Sequence, residues 1–236
     1  MGKENNKIVM LWGDIHLPYH HPDAFDFLKA VKKKYKPTRV ICMGDLVDNH
    51  AISYHESDPD LPSARDELEM AKFYMEELYM IFPKLDILQG NHDKLPIRKA
   101  KSAGLSSRYI KNNHEVFNMP KDWKWEHELI LTLPNYGDLW LRHYFTTNII
   151  DLAIKNNINM AQGHLHSKSD CTWIMNKDVC VWALTVGCLV DDKSLAMEYN
   201  KLDKYRPVLS VTIIKNGIPK IIFMNVDKDN NWDGKI

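Results

Sequence analysis

Short apolar runs punctuate the first ninety residues. IVMLW from Ile8 to Trp12, RVICM from Arg39 to Met43 and LDILQ from Leu85 to Gln89 each stop at a glycine, namely Gly13, Gly44 and Gly90. Runs of this length, closed by a turn residue, predict buried strands. Between the first two, Ala24, Phe27, Leu28, Val31 and Tyr35 recur at helical spacing behind Pro22, which a first helical turn tolerates. Between the second and third, Ser63 and Asp66 stand in capping-box-like spacing ahead of Leu68, Ala71, Met75, Leu78 and Phe82, the stripe of a long helix. Strands alternating with helices must lie parallel.

The pattern weakens from Lys94 to Gly137, where only a basic helical piece over 99–111 and a strand over 125–131 stand out. The segment 94–137 is therefore expected to be a cap or insertion within one domain spanning 1–236. Beyond it, LWLRHYF (139–145) predicts a strand, Ile149 to Lys155 a short helix, and INMAQGHLH (158–166) a strand ending at Gly163. Alternating runs at 171–175, 179–187, 208–214 and 219–226 then read as hairpins, one turning at Asn216 and Gly217. The tail after Asp227 is expected to fray.

Composition narrows the function. Lysine and arginine total 31, as do aspartate and glutamate, so no global field favours a polyanion. Two local basic clusters remain. The one from Lys29 to Arg39 reads as a solvated helix face, whereas Arg98 to Lys111 follows a motif taken up below. Cys42, Cys171, Cys180 and Cys188 show no CxxC spacing, which predicts reduced thiols. No run approaches the roughly 20 apolar residues of a membrane span, and the expected setting is the cytoplasm.

The strand ends carry the chemistry. In chain order they hold Asp14 and His16, Asp45, Asn91 and His92, His143, and His164 with His166. Each alone has a bland explanation as a turn or core residue. Together they place metal-competent side chains at one edge of the sheets, where ligands bind in α/β folds. The motifs DIH, GDLVD, GNHD, lone His143 and GHLH resemble the calcineurin-like metallophosphoesterase family, whose pattern is DxH, GDxxD, GNHD or GNHE, a lone His and GHxH. Tyr144 departs from it, since many relatives have glycine after the lone histidine.

The resemblance implies an α/β fold, a four-layer αββα sandwich of two mixed β-sheets flanked by helices, which the βαβ-then-hairpins order also suggests. It further implies that Asp14, His16 and His166 hold one divalent cation, that Asn91, His143 and His164 hold a second, and that Asp45 bridges them. Imidazole and oxygen donors without thiolate suit Mn²⁺, Fe or Zn²⁺, with Mn²⁺ favoured. The implied nucleophile is a metal-bridging hydroxide attacking a phosphoester in line. His92 faces the substrate as charge stabiliser or general acid, with Asp93 expected to orient its ring. Asp48 is expected behind the ligands, or else as a loop-capping carboxylate.

Substrate contacts are expected from Arg98, Lys101 and Arg108 in the second basic cluster. His50 and His55, near the Asp45 loop, are expected at the entrance, the alternative being ordinary loop positions. Trp12 and Trp140 read as core aromatics. The leading function is a phosphomonoesterase for nucleotides or similar small phosphates. The alternative is a DNA nuclease of the SbcD kind, using the basic cluster against a phosphate backbone. A catalytically silent metal-binding adaptor is disfavoured, because such a scaffold has no need of His92.

Overall fold

Ile8–Trp12 (β1) is apolar throughout because both its faces are covered. Side chains alternate across a strand, so Met10 and Trp12 join one core cluster while Val9 and Leu11 join another. The computed structural model describes residues 7–54, 58–178, 180–196 and 206–236. After β1 come Ala24–Tyr35 (α1), Arg39–Cys42 (β2), Ala64–Ile81 (α2), Leu85–Leu88 (β3), Leu95–Ser102 (α3), Asn113–Phe117 (α4), Trp123–Glu126 (β4), Glu128–Leu133 (β5) and Gly137–Arg142 (β6). Ile149–Asn156 (α5), Asn159–Gln162 (β7), Asp170–Met175 (β8), Cys180–Thr185 (β9), Ser210–Lys215 (β10) and Ile218–Phe223 (β11) follow.

The strands form two mixed sheets, ordered β11-β10-β1-β2-β3-β4 and β5-β6-β7-β9-β8. In the first, β1 to β4 are parallel, and the β10–β11 hairpin adds antiparallel to β1. In the second, β6, β7 and β9 are parallel between antiparallel edges. Phe27, Leu28 and Val31 of α1 and Ala71, Met75 and Leu78 of α2 pack with Met10, Trp12 and Ile87 on one face of the first sheet. Its other face, through Val9, Leu11, Ile41 and Leu88, meets Leu139, Leu141, Trp182 and Leu184 of the second sheet. Ile149 and Ala153 of α5 cover that sheet's far side at Met160, Val181 and Ala183. The result is the αββα sandwich. Among the described residues no helix is long and apolar enough to cross a membrane.

Four local expectations are corrected. The single strand expected over 125–131 is two strands in different sheets, β4 and β5, broken at His127. Of the stretch 94–137 expected to form a cap, those strands and the start of β6 are therefore integral to the sandwich, and the helical part is α3 to α4. The basic helix begins earlier, at Leu95 with Pro96 in its first turn, and ends at Ser102. The tail does not fray. Asp227 accepts from the amides of Asp229 and Asn231, and the turn returns Trp232 to the core, where its amide donates to Asp23 at 2.9 Å and its ring meets Phe27 at 5.6 Å.

Candidate metal centre

The loops leaving β1, β2 and β7 turn on residues with left-handed backbone: Asp14 (φ 51°), His16 (φ 51°), Asp45 (φ 48°) and His164 (φ 69°). With a Cβ present such backbone costs roughly 1–3 kcal/mol per residue and persists only where neighbours over-determine it. Here the loops hold one another. The amides of Asp14, His16 and Leu17 donate to the carbonyls of Gly44, Asp45 and Leu46 at 2.9, 3.0 and 3.0 Å. Gly13, expected to supply the sharp turn, instead supplies space, since a Cβ there would sit 2.8 Å from Met43 Cβ. Asp14 makes the turn. Gly90 is needed for the same reason of space, because a Cβ would fall 2.0 Å from Asp45 Oδ1.

Two donor clusters converge at this edge. Asp14, His16 and His166 form one, and Asp45, His143 and His164 the other, each with ligand atoms within 4.8 Å of one another. His166 Nε2 lies 3.4 Å from Asp14 Oδ1 and 3.1 Å from His16 Nε2. Asn91 joins the second cluster through Oδ1, 3.0 Å from His143 Nε2. Asp45 belongs to both, with Oδ2 3.2 Å from His143 Nε2 and 3.7 Å from His16 Nε2.

The far ring nitrogens are committed elsewhere. His143 Nδ1 donates to the Met43 carbonyl at 2.9 Å and His16 Nδ1 to Asp48 Oδ1 at 2.5 Å, so both Nε2 atoms face the cluster. Burial lowers the His143 pKa, but the Asp45 charge overrides it and pushes it up to about 10. Burial would raise Asp45, yet His143, His16 and His92 hold it well below the carboxylate range. The field favours a cation between these side chains. Imidazole nitrogens with carboxylate and amide oxygens, and no lysine or arginine among them, fit divalent metals of the borderline class.

His92 sits beside the clusters on different terms. Its amide donates to Asp45 Oδ1 at 2.9 Å, and its Nδ1 donates to the Asp48 carbonyl at 2.7 Å, with Asp48 Oδ1 3.2 Å away. Among the described residues Nε2 has no hydrogen-bond partner. Burial opposes its charge, but Asp48 and Asp45 push its pKa up to about 9. His16, Asp48 and His92 thus form a hydrogen-bonded set behind the metals, with His16 Nε2 already turned to the first cluster.

A profile of calcineurin-like phosphoesterases matches residues 9–205. The chain belongs to the calcineurin-like phosphoesterase family. Proteins of this family bind divalent metals and act on phosphate esters, in keeping with the clusters found here. No curated protein sequence matches significantly. Among solved structures, Yfce, a phosphoesterase from E. coli, is 12% identical with a TM-score of 0.50, covering 96% of each chain. Vps29 of Chaetomium thermophilum, in complex with a cyclic peptide, is 13% identical with a TM-score of 0.50, covering 97% of this chain and 92% of its own. At such identities the likeness is one of fold alone.

One expected partner of His92 differs. Asp93 does not orient the His92 ring. Its carboxylate accepts from the amides of Gly90, Asp45, Leu46 and Val47 at 2.9, 2.9, 3.0 and 3.2 Å, clamping the GNHD loop to the GDLVD loop. Burial and then the Asp45 charge raise its pKa, while the amides of Gly90 and Val47 pull it down. Asp48 holds both rings, its carboxylate taking His16 Nδ1 and its backbone carbonyl His92 Nδ1. His50, expected at the entrance, is buried, with Nδ1 3.6 Å from Asp48 Oδ2 and its amide on Glu67 at 2.6 Å. His55 lies outside the described residues.

The basic cluster also divides. Arg98 lines a cavity of about 300 Å³ that Asn91, His143 and His164 also line, whereas Lys101 and Arg108 are exposed and do not border it. Lys94, Arg142 and His127 border the same cavity and escaped the sequence reading. Arg142 precedes the lone histidine and Lys94 follows GNHD directly, a proximity that points to them in retrospect. His127 gave no signal, since its place depends on the crossing from β4 to β5. Tyr144 also lines the cavity, its ring 4.5 Å from that of His164.

Proposed function

We propose that this protein is a dinuclear-metal-dependent phosphoester hydrolase, acting as a phosphomonoesterase on nucleotides or similar small phosphates. The observation that carries it is Asp45 shared between two donor clusters, with His92 alongside. Asp14, His16 and His166 would hold one cation, Asn91, His143 and His164 the second, and Asp45 both, with Mn²⁺ favoured. Bound there, two divalent ions supply an activated water and neutralise phosphoryl charge.

The chain's own residues do the rest. His16 and His143 are fixed in orientation by Asp48 and the Met43 carbonyl, so their Nε2 atoms need no reorganisation. His92, held at Nδ1 by Asp48, keeps Nε2 to deliver a proton to the leaving oxygen. Asp93 positions the two loops and touches no reacting atom. A balanced net charge supports a small substrate over duplex DNA. The unpaired thiols of Cys42, Cys171, Cys180 and Cys188 suit the cytoplasm.

The test is a side-by-side assay of the Mn²⁺-loaded protein on nucleoside monophosphates, bis(p-nitrophenyl) phosphate, and single- and double-stranded DNA. Preference for the monoesters is expected. Faster cleavage of the diester and DNA would replace this reading with the nuclease, and inactivity on all of them would remove hydrolysis altogether.

A further inference from the structure

Lys94, Arg98 and Arg142 line one cavity with no acidic side chain among its walls. Among the described residues none of the three makes an ion pair, although exposed cations elsewhere do: Arg39 with Asp86 at 2.7 Å and Lys29 with Glu77 at 2.7 Å. Their placement is built. Arg142 Nη2 lies 2.7 Å from His127 Nε2, to which it donates, and the guanidinium lies 5.9 Å from the Phe145 ring. The Arg98 guanidinium lies over the Tyr54 ring at 5.4 Å. Three cations gathered at one wall, with no carboxylate of the described residues in ion-pair contact, favour an anion beside them.

We propose that these residues form a second phosphate subsite, and that the substrate is a small ester carrying a second phosphate besides the one cleaved, such as a nucleoside bisphosphate. The inference rests on the phosphoesterase reading for the first phosphate only. One phosphoryl group at the two clusters leaves Lys94, Arg98 and Arg142, spread over the cavity wall from α3 to the end of β6, more donors than it can use, and a second phosphate would engage them. Arginine's planar fork suits its oxygens. A nucleic-acid strand would need a continuing track of cations, and Lys101 and Arg108, which would extend it, do not border the cavity.

The probes are thymidine 3′,5′-bisphosphate and the two thymidine monophosphates. Binding to the Mn²⁺-loaded full chain is measured by calorimetry with the methylene phosphonate analogues of these esters, so that no turnover intervenes, and kcat/KM is measured with the esters themselves. The wild type should prefer the bisphosphate by about tenfold or more in both, the scale of one charge-assisted contact set. Arg142→Gln, and separately Lys94→Gln with Arg98→Gln, should each cut that preference about tenfold, with circular dichroism confirming that the variants fold. Equal binding of mono- and bisphosphate, or a preference unchanged in both variants, overturns the subsite. Tighter binding of a dodecanucleotide, with a salt slope beyond two phosphates, overturns the small-ligand assignment. A binding preference without hydrolysis of any ester keeps the subsite and removes the phosphoesterase reading.

Discussion

The two sides of the candidate site are built on opposite terms. The metal side is buried and fixed: Asp14 and His16 are fully buried, Asp45 nearly so, and each sits on backbone that neighbouring loops hold in place. The cavity side presents long cations from α3 and the end of β6, oriented by a histidine and aromatic rings and not by carboxylates. Buried ligands with strained backbone admit few alternatives, because a metal's demands on distance and donor type are narrow. Partly exposed cations reading a phosphate can come from any nearby element. Chemistry common to a family resides on the first side, and choice of substrate on the second.

The largest effect should follow from breaking the first side at its centre. Asp45→Asn removes the charge shared by both clusters, and turnover should fall by roughly 10³-fold or more, the several kcal/mol expected of metal-centred charge stabilisation. Steady-state kinetics at saturating Mn²⁺ checks it, and a variant within tenfold of wild type would mean that Asp45 does not bridge.

His92→Ala comes next. Turnover should drop about 10²-fold with metal content intact, and the loss should be greatest for poor leaving groups. Loss of metal instead would make His92 a ligand.

Asp93→Asn probes the clamp. Its amide group would set an N–H₂ against backbone donors, and unfolding free energy should fall by about 1–3 kcal/mol, the cost of a buried unsatisfied group. Denaturant melts give the value, and an unchanged midpoint would show that the four amides find other partners.

On the cavity side, Arg142→Gln should shift preference by about tenfold as argued above. Neutralising Lys101 and Arg108 should change kcat/KM by less than about twofold, as expected of surface positions outside any site. A large loss in that double variant would extend the basic wall along the whole α3 to α4 segment.

The same contrast decides what the sequence revealed. Strands β1, β2 and β3 were legible because burial leaves nearly apolar runs, broken only by Arg39 and Asp86, which pair with each other, and their ends because metal-ligand chemistry restricts residue type. The β4–β5 break was not. WKWEHELILTL alternates on both sides of His127 without glycine or proline, so nothing local marks where the chain changes sheets. Asp93 was misassigned because adjacency to His92 in sequence suggested a partner, whereas a hydrogen bond depends on where the GDLVD loop folds back. Lys94, Arg142 and His127 were missed for a similar reason. They lie on separate elements and meet only in the folded chain. Trp12 and Trp140, read as core aromatics, pack with Phe82 and Phe145 respectively.

Everything proposed for the site depends on one carboxylate joining two metal positions. Elemental analysis of the dialysed, Mn²⁺-loaded wild type beside Asp45→Asn measures this. Two ions per chain are expected in the wild type and one or none in the variant. A wild type that holds a single ion, or a variant that retains two, would contradict it.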